Sequence, residues 1–169
     1  MYTLSETSLK MLKGVHPNLV NFMTELIKIS PWDFKITAGV RTAAEQNLEY
    51  QKGRTAPGSK VTKVDGYKLK SNHQVKYDRL GYAADIGVLV KEKVNVSVME
   101  NGKKVEKVIE KDVYKGTWKD FHYYQDIYNA AKNAGLLEKY GIEWGGNCWR
   151  TFKDAPHWQI KGADRVAYK

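Results

Sequence analysis

A single cysteine, Cys148, occurs in 169 residues. An intramolecular disulfide is therefore impossible, and a four-cysteine metal site is excluded with it. Arginine is scarce as well: only five of the twenty-eight basic residues. Bidentate reading of bases and phosphates leans on arginine. The net charge of +9 thus fits diffuse attraction to polyanions better than groove reading. Such polyanions include nucleic acid, anionic lipid and anionic cell-wall polymer. No zinc-finger, single-strand-binding or helix-turn-helix pattern is found. No apolar run approaches the ~20 residues of a membrane span. The start, Met1-Tyr2-Thr3-Leu4-Ser5, lacks both the basic segment and the apolar stretch of a signal peptide. An apolar fraction of 42% with twenty aromatics argues against disorder. About two-thirds of the unfolded surface can be buried at this length. The expectation is a soluble, basic, single-domain protein made in a cytoplasm.

Local patterns then predict the elements. Ser5 caps a short turn carrying Leu9 and Leu12, which Gly14 and Pro17 break. Asn18 to Ile29 is helical, with Leu19, Phe22, Met23, Leu26 and Ile27 on one stripe. Phe34 to Ala38 alternates like a half-buried strand and stops at Gly39. Thr42 and Glu45 form a capping box opening a helix from Ala43 to Lys52. Gly53, Pro57 and Gly58 mark a long loop. Ala83 to Val90 suits a central strand. Alternating Val94, Val96 and Val98, the turn Asn101-Gly102, then Val105 and Val108, predict a hairpin. Seven lysines and five acidic residues between Lys91 and Lys115 make that hairpin an exposed excursion. Trp118 to Ala134 reads as a helix with Phe121, Tyr124, Ile127, Tyr128 and Ala131 inward. Ile142-Glu143-Trp144 and Trp158-Gln159-Ile160 are short strands around a glycine-rich turn. The sum is an α+β fold with helices packed on a small, mainly antiparallel sheet. It forms one domain over residues 1–169, with the hairpin at 91–115.

Four histidines fall into two kinds. His16, before Pro17, and His122, in the aromatic helix, read as structural or surface residues. His73 and His157 instead precede predicted strands, where sites tend to be built. A catalytic zinc wants three ligands from histidine and carboxylate plus an open water position. His73, Asp85 and His157 supply that set. Asp154, three residues before His157, can reach the same centre as acid and base, and Arg41 is a candidate donor to an oxyanion. Spacing alone is not specific here, for there is no His-Glu-x-x-His helix. Asp78 is an alternative carboxylate ligand.

At these residues the chain resembles a known family. Ser71-Asn72-His73 with Gly81-Tyr82-Ala83-Ala84-Asp85, and then Asp154-Ala155-Pro156-His157, match the two halves of a zinc-peptidase pattern. Ile36-Thr37-Ala38-Gly39-Val40-Arg41-Thr42 matches its arginine segment. Glu45-Gln46, Tyr50 to Thr55, Pro57-Gly58 and Glu143-Trp144-Gly145-Gly146 resemble the branch used by phages as endolysins. The family includes D-alanyl-D-alanine carboxypeptidases, VanY-like enzymes and L-alanyl-D-glutamate endopeptidases. The resemblance runs from about Leu19 to Ile160. It implies a Hedgehog/DD-peptidase-like fold, Zn2+ held by His73, Asp85 and His157, Asp154 as catalytic acid/base and Arg41 as carbonyl-polarising residue. Ser71 and Trp144 would shape the site. Asp rather than Glu at position 154 tilts the reading to the endopeptidase.

One departure stands out. The family holds its first His and Asp seven residues apart, whereas His73 and Asp85 are twelve apart. About five extra residues between Gln74 and Leu80 are expected to loop out, at small entropic cost. Trp144, Trp149 and Trp158 flank the predicted site, where they can stack on peptide or sugar; core packing is the alternative for Trp144 and Trp158. Cys148 reads as an ordinary thiol and Glu143 as a structural hydrogen-bonding residue. The expected substrate is the peptidoglycan stem peptide, cleaved at L-alanyl-D-glutamate. The carboxypeptidase reaction and a non-catalytic wall-binding role are the alternatives, and a nucleic-acid partner is not expected. A monomer is the default expectation, and the resemblance further implies an enzyme that waits in the host cytoplasm until a holin-type membrane protein lets it reach the cell wall.

Overall fold

A computed structural model of the chain describes residues 1–148 and 153–168. Helix α1 (Glu6–Met11) is capped by Ser5, whose hydroxyl accepts from the Ser8 amide. This turn buries Leu12 and Ser8, while the expected Leu9 is about half exposed. The Ser8 hydroxyl instead takes the Ile36 amide at 3.1 Å and ties α1 to the sheet. Helix α2 (Pro17–Ile29) starts with proline at its first position, where the missing N–H costs nothing, and His16 caps it. Its buried residues are the five of the predicted stripe. Each stabilises the fold by roughly 1.5–3 kcal/mol.

Strand β1 (Asp33–Ala38) leads into α3 (Ala43–Gln51), whose Thr42–Glu45 capping box is formed. After a long loop come β2 (Ala83–Glu100) and β3 (Lys103–Lys115), joined at Asn101-Gly102. Both turn residues have positive φ (50° and 78°), the backbone that a two-residue hairpin turn requires. A 3-10 turn at Trp118–Asp120 then opens α4 (Phe121–Asn133). Helix α5 (Leu136–Tyr140) and strand β4 (Ile142–Trp144) follow, then α6 (Gly145–Cys148) and β5 (His157–Ile160). The expected glycine-rich turn is thus the start of α6. None of the described helices is long and apolar enough to cross a membrane.

The pairing is antiparallel throughout, in the order β1-β2-β5-β4, with β3 also on β2. Alternation divides the sheet into two faces. Phe34, Ile36, Ala84, Ile86, Val88, Trp144 and Trp158 meet α2, α4 and α5 in one core. Asp85, Glu143, His157 and Gln159 take the alternate positions and point to the other face. The register makes Asp85 and His157 direct partners, and Glu143 and Gln159 likewise. Beyond Val90, β2 pairs with β3 alone, so the hairpin projects as a two-stranded ribbon.

The Gln74–Leu80 segment differs from a loop swung free. Tyr77, Asp78 and Arg79 are exposed, but Gln74 and Lys76 are buried. The Tyr77 amide donates to the Ala167 carbonyl at 2.9 Å, and Lys76 bridges to Tyr168. The inserted residues therefore serve as the seat of the 163–168 segment.

Candidate metal centre

Three side chains from three segments converge on the open face of the sheet. His73 Nε2 lies 3.1 Å from Asp85 Oδ1, His157 Nδ1 lies 3.1 Å from the same oxygen, and the two nitrogens are 3.3 Å apart. These are the edges of a tetrahedral face around a small cation with bonds of ~2 Å. Both histidines are buried and Asp85 is half-buried.

Each ligand is held from behind. A bulge where β1 shifts register between Ile36 and Ala38 brings Gly39 beside the site. Its carbonyl accepts from His73 Nδ1 at 2.8 Å. A Cβ on Gly39 would lie 1.9 Å from the Met11 carbonyl oxygen, so only glycine lets β1 pass α1 here. The Ser71 hydroxyl accepts the His73 amide at 3.3 Å, and the His73 carbonyl takes the Arg41 amide at 2.9 Å. His157 Nε2 donates to Gln159 Oε1 at 2.9 Å. These bonds assign the Nδ1–H tautomer to His73 and the Nε2–H tautomer to His157. The other ring nitrogen of each, directed at Asp85 and at its counterpart, is the one a metal needs. With both imidazoles neutral, three acceptor atoms at such distances repel one another, and either a proton or a divalent cation removes that repulsion. The donor set fits one.

The charges follow the same logic. Burial pushes the Asp85 carboxyl up, but the charges and hydrogen bonds of His73 and His157 overcome it and hold the group well below the usual range. Burial lowers His73. Burial acts downward on His157 too, yet the hydrogen bond and charge of Asp85, with Asp154 behind, leave it raised. Arg41 Nη2 donates to Asp85 Oδ2 at 2.6 Å, so the arginine pairs with a predicted ligand. Its other arm reaches Gln46 Oε1 at 3.4 Å. Asp154 begins the turn into β5, with its amide on the Gly145 carbonyl and its own carbonyl accepting from the His157 amide at 3.2 Å. Burial and then the Asp85 charge push its carboxyl up to about 6.

Arg41, Ser71, His73, Asp85, Asp154 and His157 all line one open cleft of about 1550 Å³. Trp144 does not. It is buried among Phe121, Tyr128 and Trp158, and it touches the site only through its indole N–H on the Ala155 carbonyl at 2.7 Å. Trp158 is likewise core. Trp149 and the Cys148 side chain lie outside the described residues. Asp78 is engaged elsewhere, accepting from the Tyr82 hydroxyl at 2.7 Å and the Leu80 amide at 3.1 Å. Among the described residues, the exposed tryptophan of the cleft is Trp118, 72% exposed and stacked on Phe121. Sequence reasoning placed it only at a helix start; an exposed aromatic beside a capping box was the available signal. Gln159 was also missed as a histidine partner, although its alternation with His157 places both on one face.

Fold and site together define a mixed α+β protein, helices packed on an open antiparallel sheet, with a His/His/Asp cluster suited to a divalent metal. It is the one such group among the described residues. The family described as phage L-alanyl-D-glutamate peptidase matches residues 1–116, and the chain belongs to that family. It is 29% identical over 128 residues to the peptidoglycan L-alanyl-D-glutamate endopeptidase CwlK of Bacillus subtilis, covering 76% of this chain and 60% of that protein. The chain thus spans 60% of the length of that curated relative. The crystal structure of the L-Ala D-Glu endopeptidase ChiX of Serratia marcescens is similar over 97% of this chain and 93% of its own, with a TM-score of 0.59 and 25% identity.

Proposed function

We propose that the chain is a zinc-dependent peptidoglycan endopeptidase of phage-endolysin type, hydrolysing the L-alanyl-D-glutamate bond of the stem peptide. The observation that carries the reading is the convergence of His73 Nε2, Asp85 Oδ1 and His157 Nδ1 in a cleft that Asp154 also lines. Two imidazoles and one carboxylate leave a fourth position for water, the arrangement of catalytic zinc sites. Zn2+ held by His73, Asp85 and His157 would supply a water of lowered pKa and a Lewis acid for the scissile carbonyl.

The chain's own residues supply the rest. Asp154, with its raised carboxyl pKa, takes the proton of the attacking water and returns it to the leaving nitrogen. A guanidinium carries five N–H donors. Asp85 and Gln46 engage two of those on Arg41, and the group lines the cleft, so donors remain for the carbonyl oxygen as negative charge develops on it. Ser71 orients His73 through its amide, and Trp144 braces the 154–157 turn through Ala155. Residues 1–169 act as one catalytic unit of the Hedgehog/DD-peptidase-like fold. It works as a monomer, held in the host cytoplasm until a holin-type membrane protein admits it to the cell wall.

The test couples metal content with product mass on purified peptidoglycan. The protein is assayed as prepared, after chelation, with zinc restored, and as His157→Ala. One zinc per chain, with fragments newly ended at L-alanine and D-glutamate, is the expected result. Fragments lacking only a terminal D-alanine would move the reaction to the carboxypeptidase branch. Neither metal nor cleavage would overturn the reading.

A further inference from the structure

Behind His157 runs a chain of hydrogen bonds that ends on a buried cation. Lys76 is fully buried, and its Nζ donates to Asn72 Oδ1 at 2.7 Å. The ammonium also sits 3.5 Å from the centre of the Tyr168 ring, and the Tyr168 hydroxyl lies 3.0 Å from the same Asn72 oxygen. The Asn72 amide nitrogen donates to Gln159 Oε1 at 3.0 Å and to Asp164 Oδ1 at 2.7 Å. Gln159 Oε1 accepts from His157 Nε2, and Gln159 Nε2 donates to Glu143 Oε1 at 2.6 Å.

The polarity of this chain is fixed at both ends. Lysine has donors only, and an ionised carboxylate has acceptors only. Lys76 and the Tyr168 hydroxyl on its oxygen, with the Asp164 carboxylate on its NH2, therefore compel Asn72 to turn its oxygen inward and its NH2 toward Gln159. Asn72 from one side and Glu143 from the other then compel Gln159 to show its oxygen to His157. That oxygen requires a proton on His157 Nε2, which in the neutral imidazole leaves Nδ1 unprotonated on the side of Asp85 and His73.

We propose that Lys76 and Asn72 are positioning residues for the metal centre. The Lys76–Asn72–Gln159 chain sets the tautomer of His157, and the inserted 74–80 segment with the 163–168 segment packed on it exists to hold that chain in place. This rests on His157 being a metal ligand, as in the function proposed above. It gives the inserted residues a task that neither touches substrate nor contacts metal.

The decisive variant is Asn72→Asp, which keeps the shape but sets an acceptor against Gln159 Oε1. The new carboxylate competes with Glu143 for the Gln159 NH2, and in the fraction of molecules where the amide turns it offers N–H to His157, which moves to the Nδ1–H form and blocks the ligating nitrogen. Two readouts on the full chain report this. Imidazole nitrogen NMR of the chelated protein, in buffer just above neutrality where Lys76 keeps its proton, should show the neutral His157 as Nε2–H in the wild type and a substantial Nδ1–H fraction in the variant. Competition titration with zinc should show a Kd weakened about 10–100-fold. Lys76→Met, which removes one of the two donors on Asn72 Oδ1 at similar volume, should shift both readouts in the same direction by less and serves if Asn72→Asp does not fold. A folded variant with the wild-type tautomer and a zinc Kd within about twofold of wild type would overturn the proposal. If the wild type binds no zinc, the metal reading fails instead, and the tautomer spectrum still tests the chain of bonds by itself.

Discussion

Lys76→Met should make the metal-free protein more stable at neutral pH, and the gain should vanish as pH rises. Lys76 is fully buried, and burial lowers its pKa from 10.5 to about 8, only partly offset by the charges of Asp164 and Asp78. Below pH 8 the lysine is protonated in both states, and the folded state carries the full desolvation cost. Between about 8 and 10.5 the unfolded chain keeps a proton that the folded chain has released, so stability rises with pH through that window. A shift of this size corresponds to an order of 3 kcal/mol, or about 1.4 kcal/mol per pH unit inside the window. Methionine fills similar volume without the charge. The assay is urea denaturation of both proteins under chelation at a series of pH values, read as the difference in unfolding free energy. Taking the difference cancels the titration of every group that the substitution does not touch. The variant's advantage should be largest near pH 7 and shrink steadily above pH 8. A difference that stays flat from pH 7 to 10 would refute the reasoning, because Lys76 would then titrate alike in both states. A lysine that costs stability is what a residue retained for the site rather than for the fold looks like.

Other consequences can be checked directly. Asp154→Asn should lower kcat by about 10²–10⁴ while bound metal, measured by elemental analysis, stays at the wild-type level. Loss of metal in that variant would make Asp154 a ligand instead. Trp118→Ala should raise KM on peptidoglycan about tenfold at little change in kcat, since an exposed ring in the cleft can contribute to binding without reaching the chemistry. An unchanged KM would remove it from the substrate path. Replacing residues 92–111 by a two-residue turn should leave zinc affinity intact, because β1 and β5 pair with β2 only at or before Leu89. A large loss of affinity would show that the ribbon supports the site.

Much of this molecule was legible in its local patterns. The α2 stripe, the Thr42–Glu45 box and the Asn101–Gly102 turn each report backbone geometry within a few residues, and each formed where expected. The site motifs were legible in the same way, because Gly81-x-Ala-x-Asp85 and Asp154-x-x-His157 carry their own strand entries and turns. Helix α5 went unseen since five residues are too few to show a period.

Local sequence therefore specified the kinds of element, the mixed α+β class and the ligand types on offer. Tertiary structure decided which of them meet. The pairing of Asp85 with His157 is a register between residues 72 apart in the chain, and no local propensity encodes it. Arg41 closes on Asp85 and Trp144 turns inward for the same reason: each is placed by packing between distant segments. The burial of Lys76 needed the 163–168 segment laid over it. A charge expected at the surface acquires a lowered pKa and a fixed hydrogen-bond polarity only when the folded chain removes it from water.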